Sequence, residues 1–474
     1  MFGPIYRLYV LVVVLFGVLI FATSWWTVFG AKPLRDNPFN RRALLEQARI
    51  KRGLIKAADG TVLARSVKRS DGTYTRRYPQ GRLLSHVVGY SYLRYGQFGL
   101  ERSRNDELTG KRDDLTSIFD QLTGSRKEGD DVTTTLDPDA QRTAIDALGG
   151  QKGAVVALDP HSGAVKVMAS FPQFDPNDIP NTLNRLNQDP DAPLLNRATQ
   201  GRYAPGSTFK VVTATAALDT GKFTPDSVVD GSSPKTISGV PLFNSGGQSF
   251  GPITLTQGLT QSVNTVWAQV GEALGKRTMA RYMQRFGFYA RPPLDYPAGQ
   301  RFASGEFDRH GDLLSPTSGA IDVGRLAIGQ DKLQVTPLQM AMVAATVAND
   351  GVLERPHLTD KVVDPDGRVR EDVGRSTFAR VMKTQTAAKL REMMSNVVRE
   401  GTGTAAALSG IQVAGKTGTA ERGDGTNQVW FIGLAPVENP QIAIAVTVER
   451  SDGQGGTVAA PIAKQVLEKL LGGQ

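Results

Sequence analysis

Tyr203-Ala204-Pro205-Gly206-Ser207-Thr208-Phe209-Lys210, running on into Val211-Val212-Thr213-Ala214-Thr215-Ala216-Ala217-Leu218, is the stretch from which the rest of the chain can be placed. Pro205-Gly206 supplies a tight entry. Residues 206–218 then predict a helix so apolar after its lysine that it belongs in a core. Ser207 and Lys210 stand three residues apart, on one face and within contact distance. Ser207 opens the helix, where the dipole favours developing negative charge. Phe209, Val211 and Val212 give Lys210 apolar surroundings, which pull its pKa down toward that of a usable base. A serine beside a neutral amine is a nucleophile activated by lysine rather than by histidine. Alone, the pattern also reads as a helix cap beside a surface lysine. Ser232-Ser233-Pro234-Lys235 matches it too, although Pro234 disfavours a continuous helix there.

Two further short motifs follow in order. Ser262-Val263-Asn264 lies between two stretches that read as helical, so a loop hydroxyl and amide can face a cleft. In isolation it is a turn or a cap, and Ser103-Arg104-Asn105 repeats the pattern earlier. Lys416-Thr417-Gly418-Thr419 follows the apolar, β-like residues 411–414 and is read as continuing their strand. Gly418 removes a side chain where another backbone must approach, so a substrate peptide can pair with this edge. Lys416 and the two threonine hydroxyls suit a terminal carboxylate. Lys416 can also supply the second positive charge that depresses Lys210. Taken alone the word is an exposed strand end. Together the three point to one cleft and to serine-based acyl transfer.

Outward from these motifs the pattern is α+β. Residues 153–158 and 164–169 predict strands joined by Asp159-Pro160-His161-Ser162-Gly163. Residues 336–349 predict a helix with Pro337 in its first turn. Residues 430–434 and 442–448 predict strands, and residues 461–471 a closing helix. Strands at both ends with helices between imply one antiparallel sheet covered by helices. There is no internal repeat, and residues 453–456 read as a short flexible loop. Before this domain, Arg52-Gly53-Leu54-Ile55 and Thr61-Val62-Leu63-Ala64 predict a hairpin around Asp59-Gly60. Residues 132–136 are β-rich, and Asp137-Pro138 opens a helix to about residue 148. No catalytic constellation appears there, so this is a spacer or partner-binding domain. The expected division is an anchor in 1–29, a smaller β-rich domain in 30–150 and the catalytic domain in 151–474.

The chain has 474 residues, 40% apolar and 21% charged, enough for two or three domains with ordinary cores. The absence of cysteine excludes disulfides, thiol catalysis and cysteine-rich zinc sites. His86, His161, His310 and His357 are scattered, and no metal or cofactor is expected. The net charge of +9 suits a solubilising surface or one facing anionic lipid or cell wall. The basic residues are dispersed without a nucleic-acid motif, so nucleic-acid binding is not expected.

Residues 8–29 carry no charge and are long enough to span a bilayer, with Trp25 and Trp26 as interface anchors. A cleaved signal peptide would have a shorter apolar region, and the small-residue site near Ala31 is poor. The expected reading is an uncleaved single-pass anchor. Arg7 precedes it, and Lys32, Arg35, Arg41 and Arg42 follow it. Counting charges alone would keep the bulk of the chain inside, but large domains translocate largely regardless of them.

With these residues in place, the chain resembles the class B penicillin-binding proteins. Ser-x-x-Lys, Ser-x-Asn and Lys-Thr-Gly form that family's signature. The resemblance extends to Asn196-Arg197-Ala198, to residues 203–210, to Ala327-Ile328-Gly329-Gln330 and to Val335-Thr336-Pro337-Leu338-Gln339-Met340-Ala341. Arg52-Gly53-Leu54-Ile55 and Gly99-Leu100-Glu101 resemble the family's pedestal, or dimerisation-like, domain. The short layout is similar to the actinobacterial penicillin-binding protein A type. One departure is Ala57-Ala58-Asp59-Gly60, where members usually carry Asp-Arg-Asn-Gly; this touches partner contacts rather than catalysis.

The resemblance implies a penicillin-binding/serine β-lactamase-like transpeptidase domain that cross-links peptidoglycan stem peptides in cell-wall synthesis. Ser207 would attack the carbonyl between the last two D-alanines, and Lys210 would take its proton. Ser262, with Lys416, would relay a proton to the departing D-alanine. Asn264 would hold the donor's amide, and Lys416, Thr417 and Thr419 its carboxylate. Backbone N–H groups of Ser207 and Thr419 would form the oxyanion hole. β-Lactams would leave Ser207 acylated. Implied partners are a membrane glycosyltransferase of the SEDS type and other division or elongation proteins, with the catalytic domain extracytoplasmic. Rival readings are a D,D-carboxypeptidase, a class D-like β-lactamase, a β-lactam sensor and a divisome scaffold. The β-lactamase would normally be about half this length with an aliphatic residue in place of Asn264. A sensor would need more spans and an output domain.

Overall fold

The computed structural model describes residues 3–25, 47–111 and 128–472. The chain separates into two compact units, Met1–Lys51 with Val67–Thr75, and Arg52–Ser66 with Arg76–Gln474. In the first, Gly3–Trp25 forms one helix with a mean hydropathy of 2.5 in its most apolar window and no buried residue. It starts ahead of the expected Leu8 and fits a single-pass membrane anchor. Trp26, Ala31 and the basic residues Lys32, Arg35, Arg41 and Arg42 lie outside the described residues.

The second unit is built on a five-stranded sheet. Its strands are β1 (Gly153–Leu158), β2 (Val165–Phe171), β3 (Ala414–Glu421), β4 (Asn427–Ala435) and β5 (Ile442–Ser451). They are ordered β3-β4-β5-β1-β2 and antiparallel throughout. The sheet is covered on both faces, which is why its strands read as continuous apolar runs. One face, with Val155, Ala157, Phe431 and Ile444, packs on α1 (Pro138–Leu148) and on a C-terminal helix, Ala459–Leu471. The other, with Val156, Trp430, Ile432 and Ala445, faces a helical layer. Its members include, in chain order, α2 (Lys210–Asp219), α3 (Asn264–Leu274), α4 (Pro337–Ala348) and α5 (Thr384–Glu400); α4 and α5 pack on the sheet itself, and α2 and α3 pack on other helices.

Each residue of α2 is buried, as its composition required. The predicted helix over 206–218 is two pieces: a 3-10 turn, Gly206–Phe209, and then α2. The helix from Pro337 is capped by Thr336, whose side chain accepts from the Gln339 N–H. One expectation is corrected and one refined. Residues 411–413 are not strand; β3 begins at Ala414, so the lysine motif lies inside the strand. Residues 453–456 are a loop, as read, but it is held at Gly455, which is buried against the sheet: a Cβ there would stand 2.4 Å from the carbonyl oxygen of Gly418.

Asp59-Gly60 turns the hairpin that pairs Ile55 with Ala64, and Ile55 also pairs in parallel with Val132. Asp137 caps α1 by accepting from the N–H groups of Asp139 and Ala140. This sheet is continued by residues distant in sequence: Thr359–Val363 pairs antiparallel with Asp131–Thr134. Fully buried Glu101 binds Arg52 at 2.8 Å and Arg76 at 2.5 Å. The two guanidiniums outweigh the desolvation of the Glu101 carboxyl and hold its pKa below the usual range. Arg104, in the Ser103-Arg104-Asn105 look-alike, binds Asp295 and Glu371 and plays no part in the cleft below.

Candidate active site

Three elements bring the motif residues together. The 3-10 turn before α2 carries Ser207, the loop between Leu255–Thr260 and α3 carries Ser262, and edge strand β3 carries Lys416. Lys210 Nζ lies 2.9 Å from Ser207 Oγ, 2.7 Å from the Ser262 carbonyl oxygen, 2.8 Å from Asn264 Oδ1 and 3.3 Å from Ser262 Oγ. Lys416 Nζ donates to Ser262 Oγ at 2.9 Å and to the Thr417 carbonyl at 3.1 Å. Ser207, Lys210, Ser262 and Lys416 therefore form one hydrogen-bonded chain.

Both lysines are fully buried. Burial, with the charge of Lys416 as a second cause, pushes the Lys210 amine well below its ordinary pKa. Burial brings Lys416 to about 7. The surroundings of Lys210 favour its neutral form for a second reason. Two of its partners are carbonyl oxygens, which only accept, so they take both N–H groups of a neutral amine. The lone pair is then left toward the hydroxyls of Ser207, at 2.9 Å, and Ser262, at 3.3 Å, of which Ser207 is the nearer donor. The Ser262 carbonyl is aimed at Lys210 by a left-handed backbone, φ +58°, which costs a non-glycine residue on the order of 1–3 kcal/mol.

Asn264 is the first residue of α3; its Oδ1 accepts from Lys210 and its Nδ2 donates to the Phe243 carbonyl at 3.0 Å. Thr417 is buried, with Oγ1 2.6 Å from Thr402 Oγ1. Thr419 Oγ1 accepts from the Gly455 N–H at 3.1 Å. Gly418 does face an approaching backbone, but it belongs to this chain: an added Cβ would stand 2.7 Å from the Pro205 carbonyl and 2.9 Å from Thr208 Cγ2. The turn carrying Ser207 is thus packed directly on β3. Gly206, at φ +52°, brings its backbone against Thr419 and donates its N–H to the Gly329 carbonyl at 3.0 Å.

Sequence reasoning missed the residues behind this geometry. Trp430 Nε1 donates to the Ala204 carbonyl at 2.9 Å, and Tyr203 Oη donates to Glu449 at 2.5 Å, clamping the segment before Ser207. Thr402 was missed as well, and its one visible sign was Gly401-Thr402-Gly403-Thr404, a run of small residues directly after a long helix. The decoy Lys235 lies on a separate strand and pairs with Asp230. Among the described residues, no group of three or more His, Cys, Asp or Glu is placed to hold a metal ion.

Comparison with known proteins matches residues 153–468 to the penicillin binding protein transpeptidase domain and residues 52–132 to the penicillin binding protein A dimerisation domain. The chain is 35% identical to a peptidoglycan D,D-transpeptidase of Mycolicibacterium smegmatis, over 98% of both chains. It is similar to penicillin-binding protein A from M. tuberculosis solved as an imipenem acyl-enzyme complex, at TM-score 0.81 and 33% identity, covering 90% of this chain and 100% of that one. The D,D-transpeptidase domain of an Eggerthella lenta peptidoglycan glycosyltransferase superposes at TM-score 0.80 with 36% identity, covering 90% and 99%.

Proposed function

The chain belongs to the penicillin-binding protein transpeptidase family, and from that premise we propose how its cleft carries out D,D-transpeptidation. Ser207 Oγ attacks the carbonyl carbon between the two terminal D-alanines of a stem peptide while its proton passes to Lys210 Nζ. The oxyanion is held by the backbone N–H groups of Ser207 and Thr419; one such donor is worth about 3–4 kcal/mol. The C–N bond breaks, and the leaving D-alanine takes a proton through Ser262, which joins Lys210 to Lys416. An amine from a neighbouring stem then attacks the ester, forms the cross-link and restores Ser207. Asn264 exchanges its bond to the Phe243 carbonyl for one to the donor's amide, and Lys416, Thr417 and Thr419 take its carboxylate. Gly418 keeps β3 free of a side chain at the nucleophile. A β-lactam follows the first half of this path and leaves Ser207 acylated.

The reading is carried by the hydrogen bonding of Lys210, which is buried, satisfied by two carbonyls and otherwise faces only the hydroxyls of Ser207 at 2.9 Å and Ser262 at 3.3 Å among the described residues. We further propose an anchor in 1–29, a pedestal in 30–150 and a transpeptidase domain in 151–474. We place that domain outside the membrane, where stem peptides are, beside a SEDS-type glycosyltransferase and other division or elongation proteins. The test is a labelling time course with fluorescent penicillin on the protein from about residue 30, with Ser207→Ala beside it. Lasting label on the wild type alone is expected. Label that appears and rapidly disappears would make this a β-lactamase, and no label would make it a scaffold.

A further inference from the structure

The two threonines of β3 can serve a carboxylate only if their hydroxyl protons point outward. A hydroxyl has one proton, and a carboxylate only accepts. Each threonine therefore needs a donor behind it, so that its own O–H stays free for the ligand. For Thr419 that donor is the Gly455 backbone N–H, 3.1 Å from Oγ1, which cannot accept and so fixes the direction of the bond. Among the described residues, Thr417 Oγ1 has one partner, the hydroxyl of Thr402 at 2.6 Å, and in that bond either oxygen can donate.

We propose that Thr402 is a positioning residue for the donor peptide's terminal carboxylate. With the carboxylate bound, Thr402 donates to Thr417, and Thr417 donates onward; without it, the pair is free to reverse. A chain of hydrogen bonds running one way polarises its members and strengthens the last bond. The placement of Thr402 supports this role. Its N–H reaches the Thr260 carbonyl at 3.4 Å, two residues before Ser262. The neighbouring Gly401 lies so close to that carbonyl that a Cβ would stand 2.4 Å from it, and Gly456 packs as tightly on the Thr402 carbonyl. Thr402 thereby ties the serine loop to β3 while its own side chain stays exposed at the surface. The inference rests on the transpeptidase reading of this cleft.

The experiment measures acylation of wild type, Thr402→Val and Thr402→Ser by benzylpenicillin and by its methyl ester, separating pre-acylation affinity from the acylation rate. Valine keeps the shape and removes the hydroxyl; serine restores it. The expected result is about 5–10-fold weaker affinity for the free acid in Thr402→Val, an acylation rate within about twofold, no change for the ester, and recovery in Thr402→Ser. In a Thr417→Val background the effect of Thr402→Val should vanish. Equal losses for acid and ester, or no loss for either, would overturn the proposal. Should Thr402→Val not fold, Thr402→Ala gives the same comparison. A wild type that neither penicillin acylates would instead overturn the transpeptidase reading, and this inference with it.

Discussion

Lys416 shows how a group proposed to take part in catalysis can work against the stability of the fold that holds it. Its amine titrates at about 7 because it is fully buried, against about 10.4 in an unfolded chain. Between those values the unfolded chain binds the additional proton, so stability rises with pH. The cost of burying Lys416 is therefore complete below pH 7 and fades as the pH climbs toward about 10.4. Lys416→Met removes the buried charge while keeping much of the volume. It should stabilise the protein at pH 6 by on the order of 1–4 kcal/mol, with the gain shrinking toward pH 10, and should strongly reduce penicillin acylation. Denaturant unfolding at the two pH values decides the matter. A destabilised variant at pH 6, or a gain that does not change with pH, would show that the buried charge is not the controlling cost. Ser262 belongs to the same class: its left-handed backbone is strained, and the strain is what turns its carbonyl onto Lys210.

At the level of elements, the cleft is a contact between one turn and one strand. Gly418 allows the turn carrying Ser207 to lie on β3, with the Pro205 carbonyl oxygen only 2.7 Å from where a Cβ would stand. Gly418→Ala should push that turn outward, cost about 1–3 kcal/mol through overpacking and slow acylation by at least about tenfold through misplacement of Ser207. Thermal unfolding and penicillin labelling measure both, and acylation within twofold of the wild type would exclude the contact as a constraint on catalysis. Much of this was legible. The strands of the central sheet announced themselves because both faces are buried, and α2 because it is apolar throughout. The three motifs could be gathered into one cleft because each had a clear local reading: a helix start, a loop between helices and a strand. What was not legible depended on pairs distant in sequence. The glycine spacing of the lysine motif suggested an approaching substrate, but only the fold reveals that Pro205 occupies that side. Thr402 carried no local signal beyond small neighbours, because its partner is a hydroxyl on another element. The φ of Ser262 could not be read from a residue type that ordinarily avoids it.

Across the whole second unit, a division near residue 150 follows composition more closely than it follows hydrogen bonds. Asp131–Thr134 belongs to the N-terminal segment, yet it pairs on one side with Ile55 and on the other with Thr359–Val363 from the middle of the catalytic segment. Leu358 and Val362, beside and within that later strand, are buried in the same core as Leu83, Val87, Leu100 and Leu136. Arg104 adds a polar tie, donating to Thr359 Oγ1 at 3.0 Å and pairing with Asp295 and Glu371. Removing the N-terminal segment would expose a strand edge, several large apolar side chains and two carboxylates that have lost their guanidinium. A fragment of residues 151–474 should therefore unfold at least on the order of 10 °C below one of residues 52–474, and its open edge should promote aggregation. Differential scanning calorimetry of the two fragments, with light scattering alongside, provides the comparison. If the shorter fragment melted cooperatively within a few degrees of the longer one and stayed monomeric, the shared sheet would be a contact between two independently stable domains. The expected loss instead makes the pedestal part of the scaffold on which Asp295 and the 359–372 hairpin are held, so that the catalytic segment does not fold to its full stability without it.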